Sequence, residues 1–133
     1  MAEITLRNAY DDGKAREGLI KTEDVRSAAV TAVVDTGTMS LVITEELRQK
    51  LGLSIKGEKD VLIANGKYVR CQWTEGVEVH WKNRASIQYA VVIPGAKAVL
   101  LGVTPLEDMD LIVNPVTREL AGAHGDRVVT LAL

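Results

Sequence analysis

Short runs of valine, isoleucine and leucine, each cut off by a turn signal, recur from one end of this chain to the other. No other feature restricts the fold as much, because runs this short and this rich in β-branched side chains suit strands. Residues 3–7 alternate polar with apolar through Ile4 and Leu6. Residues 25–34 are β-rich and end in a nearly continuous apolar run, the pattern of a strand covered on both faces. Leu41-Val42-Ile43 resumes that run after a break. Val61-Leu62-Ile63 leads into Asn65-Gly66, a strong hairpin-turn pair, and the chain returns through Tyr68, Val69 and Cys71. Residues 77–81 alternate, Lys82-Asn83-Arg84 turns, and residues 87–93 make a further strand ended by Pro94-Gly95. Residues 98–101 form a short apolar strand that stops at Gly102, and residues 111–113 and 116–120 flank an Asn114-Pro115 turn. Residues 128–133 read as a closing strand.

Helical signals are few. Residues 44–51 carry Thr44 as N-cap, Glu45 and Glu46 at the positive end of the dipole, Lys50 at the negative end and Gly52 beyond it. Thr104-Pro105-Leu106-Glu107 has the form of a capping box with proline at the first helical position. Residues 10–18, with Asp11-Asp12-Gly13, read as a loop. The pattern predicts roughly eight or more strands and two short helices, an all-β barrel or sandwich.

Composition narrows the function. At 133 residues the chain suits one domain. A net charge of −2 without a long basic run, and an aromatic set of two Trp, three Tyr and no Phe, argue against a nucleic-acid partner. A single cysteine, Cys71, forbids an internal disulfide and any multi-cysteine zinc site, and fits a reducing compartment. The first ten residues contain no apolar leader core, and the longest apolar stretch, residues 28–34, is too short to span a bilayer. The expectation is a soluble, cytoplasmic protein with no membrane partner.

One set of residues exceeds this background. The strand Thr31-Ala32-Val33-Val34 delivers Asp35-Thr36-Gly37-Thr38, and an ionisable side chain where a buried strand ends is costly unless something satisfies or uses it. Downstream, Ala98-Val99-Leu100-Leu101-Gly102 precedes the second helix, its glycine allowing close backbone approach. The hairpin tip Ala64-Asn65-Gly66 lies between the two.

In this order and at these intervals, the three elements resemble the retropepsin-like aspartic proteases, over about residues 25–120. The resemblance implies a single domain over residues 1–133 with a closed β-barrel-like fold, two short helices, no cofactor and no metal. It also implies a peptide hydrolase in which two Asp carboxylates share one water, one acting as general base and the other as general acid. The chain holds one Asp-Thr-Gly and no second Asp-[Ser/Thr]-Gly, so a catalytic centre needs Asp35 from a second copy, in a two-fold homodimer. Residue by residue, the resemblance makes Asp35 the acid/base and has Thr36 hydrogen-bond across the dimer axis. Gly37 would admit substrate backbone, and the Thr38 hydroxyl would donate to the carboxylate. Residues 61–69, tipped at Asn65-Gly66 with Ala64 beside them, would form a flap over a polypeptide substrate. Ala98 and Leu100 would line apolar subsites, with Leu101 and Gly102 supporting the loop. Met39 and Val103 stand where viral members carry an Asp and an Arg, so packing replaces an ion pair there.

Other candidates have plainer explanations. His80 and His124 are far apart in sequence, and His80 reads as an edge residue. Cys71 reads as a small buried hydrophobe, and Trp73 and Trp81 as packing residues. Glu107, Asp108 and Asp110 could suggest a cation site, but acids in the first turn of a helix account for them. Residues 3–7 and 128–133 are candidates for an intersubunit sheet. Two further functions fit the same residues: a catalytically silent dimeric peptide-binding or scaffolding module of this fold, and an unrelated small β-barrel binding domain.

Overall fold

A computed structural model describes residues 1–132. Nine strands and three helices follow one another as β1 (Ala2–Asn8), α1 (Ala9–Arg16), β2 (Ser27–Val34), β3 (Leu41–Ile43), α2 (Glu45–Leu51), β4 (Ile55–Leu62), β5 (Tyr68–Trp81), β6 (Arg84–Val92), β7 (Val99–Leu101), α3 (Val103–Asp108), β8 (Leu111–Val113) and β9 (Leu120–Gly122). A single 3-10 turn, Thr22–Asp24, precedes β2. Seven strands form one sheet in the order β1-β2-β7-β3-β6-β5-β4, and β1 also pairs with β5. That extra pairing closes six strands into a barrel and leaves β4 hanging from the outer side of β5. The expected closed all-β barrel is the fold the chain adopts.

Alternation divides each barrel strand between two environments. Leu41 and Ile43 of β3, Ala90 and Val92 of β6, and Val99 and Leu101 of β7 fill the barrel interior together with Leu6, Val77 and Val79. The intervening Val42 and Val91 belong to a second buried cluster outside the barrel, under the β4–β5 hairpin. Leu100 packs against that same cluster. Burial on both faces is what the apolar runs of β3, β6 and β7 require; β2 departs from that expectation, because Ala29, Thr31 and Val33 on its outer face are exposed.

Several local expectations are corrected. Three helices are present where two were expected, because residues 9–16 are helical instead of looped. The Asn8 side chain accepts from Asp11 N at 3.0 Å, Asp11 and Asp12 occupy the first turn, and Lys14 and Arg16 the last. Cap and dipole outweigh Gly13. The capping box at Thr104 does not form. The helix begins at Val103 after Gly102, with no side-chain cap. Its free donors are taken by another segment: Val103 N donates to Thr38 O and Thr104 N to Met39 O, each at 2.8 Å. The strand expected at residues 116–120 starts only at Leu120. Asn114 Oδ1 accepts from Val116 N and Thr117 N and holds that stretch as a turn. Residues 128–132 form no strand; Leu133 lies outside the described residues. In β1, β2 takes one edge over Ala2–Arg7 and β5 the other over Thr5–Asn8, so of residues 3–7 only Glu3 and Ile4 keep an edge free for another copy. α2 follows its signals, with Leu47 N donating to Thr44 Oγ1 at 3.1 Å and Gly52 left-handed at φ 64°.

Candidate active site

β2 and β7 run parallel, with Val34 beside Leu101. Asp35 N extends the ladder one step by donating to Leu101 O at 3.1 Å. The chain then turns sharply: Thr38 N donates to Asp35 O at 3.1 Å. Inside this turn the carboxylate is satisfied by its own loop. Gly37 N donates to Oδ1 and Thr38 Oγ1 donates to Oδ2, both at 2.9 Å. The outer side of the loop is buttressed by Gly102, whose N donates to Ser40 O at 3.1 Å, and by the first turn of α3. A half-exposed carboxylate is thereby held in one orientation without a cation, since no ion pair reaches Asp35 among the described residues.

Asp35 faces a cleft of about 720 Å³. Gly37, Thr38 and Met39 form one wall, and Val42, Val91, Ile93 and Leu100 the floor. The opposite wall is six consecutive residues from Lys59 to Ala64. Residues 59–62 of this wall belong to β4, which is paired to β5 on one side alone, and Ile63 and Ala64 continue it into the hairpin turn. Cys71 lies in the cluster beneath the floor, where burial pushes its thiol pKa up, as suits an inert buried side chain.

The cleft thus brings together Asp35, Gly37, Thr38, Ala64 and Leu100. Thr36 is exposed next to Asp35 and outside the cleft lining. Asn65 and Gly66 form the hairpin turn beyond its rim, where Asn65 Oδ1 accepts from Lys67 N at 2.9 Å and Gly66 sits at φ 81°. Ala98 is exposed ahead of β7 and does not line the cleft. Val42, Lys59, Val91 and Ile93 do line it and were not singled out by the sequence. The signal for Val91 and Ile93 was present, since an unbroken apolar run through β6 needs cover on both faces.

The acidic residues near α3 are not in its first turn, which contains no acid. Glu107 and Asp108 end the helix, and Asp110 follows it at φ 54°. The helix starts two residues earlier than its capping signal, with Gly102 instead of Thr104 at the N-cap, and ends after six residues, which moves these acids to the C-terminal end. Two of the three find a local use: Asp108 accepts from Ser86 Oγ, and Asp110 accepts from His124 Nδ1 at 2.8 Å and Val129 N at 3.1 Å. The His124 hydrogen bond is the main reason the Asp110 pKa is lowered. These residues line a second cleft of about 450 Å³ under residues 129–131. Among the described residues, no three His, Cys, Asp or Glu side chains are grouped to hold a metal. His80 Nε2 pairs with Glu78 at 2.9 Å, and Trp73 meets Tyr89 edge-on with ring centroids 5.4 Å apart.

Residues 22–109 match a family model described as aspartyl protease. Among solved structures, the chain is similar to EIAV protease complexed with the inhibitor HBY-793. That match has 20% identity and a TM-score of 0.49, and covers 60% of this chain and 76% of that one. No curated protein matches.

Proposed function

This chain belongs to the aspartyl protease family, and on that premise we propose that two copies of it form an aspartic endopeptidase with one active site on their two-fold axis. Each copy supplies Asp35, and the pair shares one proton and one water. The ionised carboxylate removes a proton from the water, whose oxygen attacks the scissile carbonyl carbon. The protonated carboxyl gives its proton to the carbonyl oxygen. Collapse of the resulting tetrahedral diol breaks the C–N bond, and a proton passes to the departing amine. Gly37 N–H and Thr38 Oγ–H fix each carboxylate, so that little reorganisation remains at the moment of reaction.

Thr36 bridges the two loops across the axis. The substrate is an extended polypeptide laid along the free edge of β4, gaining backbone hydrogen bonds as an added strand does. Thr38, Ala64 and Leu100 contact it in the cleft. Asn65 and Gly66 close over it from the hairpin tip, and Ala98 contacts it beyond the cleft.

The observation that carries this reading is an Asp35 carboxylate held by two donors of its own loop at a cleft rim, in a chain with one Asp-Thr-Gly. Its test is cleavage of a diverse peptide library by wild type and Asp35→Asn. Loss of about a thousandfold or more in kcat/KM with an intact fold is expected. Cleavage that persists in Asp35→Asn overturns the reading. A wild-type protein that binds extended peptides and cuts none assigns the chain to the silent peptide-binding module instead.

A further inference from the structure

The charges on the β4–β5 hairpin are sorted by face. Residues directly opposed in an antiparallel pair share a face of the sheet. Asp60 opposes Arg70 and Glu58 opposes Gln72 on one face. There, Arg70 pairs with Glu58 at 3.2 Å and Asp60 at 3.4 Å, so these three charges satisfy one another. Lys59 lies on the other face, opposite Cys71, and two residues from Val61, which opposes Val69. Cys71, Val61 and Val69 all pack with Val42, Val91 and Leu100, so this face looks toward the cleft floor.

Lys59 lines the cleft and is the sole basic residue that does. Among the described residues, no carboxylate lies within ion-pair distance of it. Lys59 is exposed, and the cleft also carries the Asp60 carboxylate, which Arg70 engages; an ammonium with no partner of its own, at the edge of a cleft floored by valines, isoleucine and leucine, suits selection of a negative group brought in from outside.

We propose that Lys59 reads an acidic side chain of the polypeptide substrate, away from the scissile bond. The two-fold axis gives the assembled site two such ammonium groups, one toward each end of the bound peptide. Acidic residues are therefore favoured on both flanks of an apolar centre. The substrate class rests on the endopeptidase reading, whereas the charge preference itself is a property of binding and is testable without turnover.

The test uses C-terminally amidated peptides, which removes terminal carboxylates as a source of the charge. Each member of a matched pair carries Glu or Gln at one flanking position. Wild type should favour Glu by about threefold to fivefold in kcat/KM, the range of an exposed charge pair, and the preference should shrink with added salt. Lys59→Met should abolish it, Lys59→Glu should turn it into a preference for Lys at that position, and Lys59→Arg should keep it. Glu58→Gln changes charge on the outer face of the same hairpin at a residue outside the cleft lining, leaves Asp60 paired to Arg70, and should leave the preference in place.

The same pairs, titrated by fluorescence anisotropy against Asp35→Asn and Asp35→Asn/Lys59→Glu, read binding alone. Cleavage with no Glu-over-Gln preference at any flanking position, or a preference that survives Lys59→Glu, overturns the inference and leaves the protease reading standing. Binding that favours Glu through Lys59, in a protein that cuts nothing, upholds the inference and removes the protease reading. Neither cleavage nor binding of any pair overturns both.

Discussion

Two aspartates, one held beside the start of β2 and one just past its end, show how differently one residue type can be used. Asp35 is half open and is held by neutral donors from its own loop, with no cation beside it among the described residues. Asp11 is only 2% exposed and accepts from Arg26 Nε at 2.8 Å and Nη2 at 2.9 Å, with Arg26 N at 3.1 Å as a third donor. The Arg26 hydrogen bond is the main cause holding the Asp11 carboxyl below its usual range. A depressed carboxyl stabilises the fold fully above the unfolded value of about 3.9 and loses that effect as pH falls through the lower folded value. Asp11→Asn should therefore cost about 1–2 kcal/mol at pH 7, a figure reduced because the Arg26 side chain is itself 49% exposed. The gap between variant and wild type should close in strong acid; urea unfolding at neutral pH and well below pH 3.9 checks both points. Asp35 was legible because its context is local, an acid where an apolar strand stops. Asp11 was not, because its partner is fifteen residues away and meets it only once β1 and β2 pair.

At the scale of elements, the junction between the Asp35 loop and α3 does most to place the site. The helix has no side-chain cap because backbone carbonyls of residues 38 and 39 take its first donors, so one set of bonds both starts a helix and fixes a loop. Gly102 makes the approach possible: a Cβ there would stand 2.5 Å from both Thr38 O and Ser40 O. Gly102→Ala should force the loop outward, with a stability loss of about 1–3 kcal/mol from overpacking. Peptide cleavage should fall further than that loss implies, since Asp35 moves with the loop. An unchanged Tm together with unchanged kcat/KM would refute this. The strands, the Asn65-Gly66 turn and the caps of α2 were readable because each is specified by a few adjacent residues. The capping box at Thr104 misled because it is a local signal overruled by carbonyls more than sixty residues earlier in the chain. β9 shifted for a related reason, the Asn114 side chain taking the two amides that a strand would have used. The floor of the cleft was half legible: apolar runs through β3 and β6 announce two covered faces, but not that a folded-over hairpin supplies the second cover.

For the whole molecule, barrel closure decides what is left to bind. The other six strands of the seven-stranded sheet each have partners on both sides over at least part of their length, whereas among the described residues β4 alone has a partner on one side only, and its free edge lies beside Asp35. Unpaired edges invite another strand, and here the edge faces an apolar floor with one carboxylate at its rim. In the proposed dimer, a barrel that encloses its own core and carries a single Asp-Thr-Gly supplies half of a two-carboxylate site. The second half would come from another copy, and this proposal has a quantitative consequence. When wild type is equilibrated with an equal amount of Asp35→Asn, random pairing leaves about a quarter of the dimers with two Asp35 carboxylates and about half with one. If both carboxylates are required, activity per wild-type chain drops to about half, and total activity to about a quarter of that of the same total amount of wild type. A site complete within one chain would lose nothing per wild-type chain. Cleavage rate measured against mixing fraction, at a concentration well above the dimer dissociation constant, should follow the square of the wild-type fraction. A straight line through the same points would place the whole reaction in a single copy and refute the shared site.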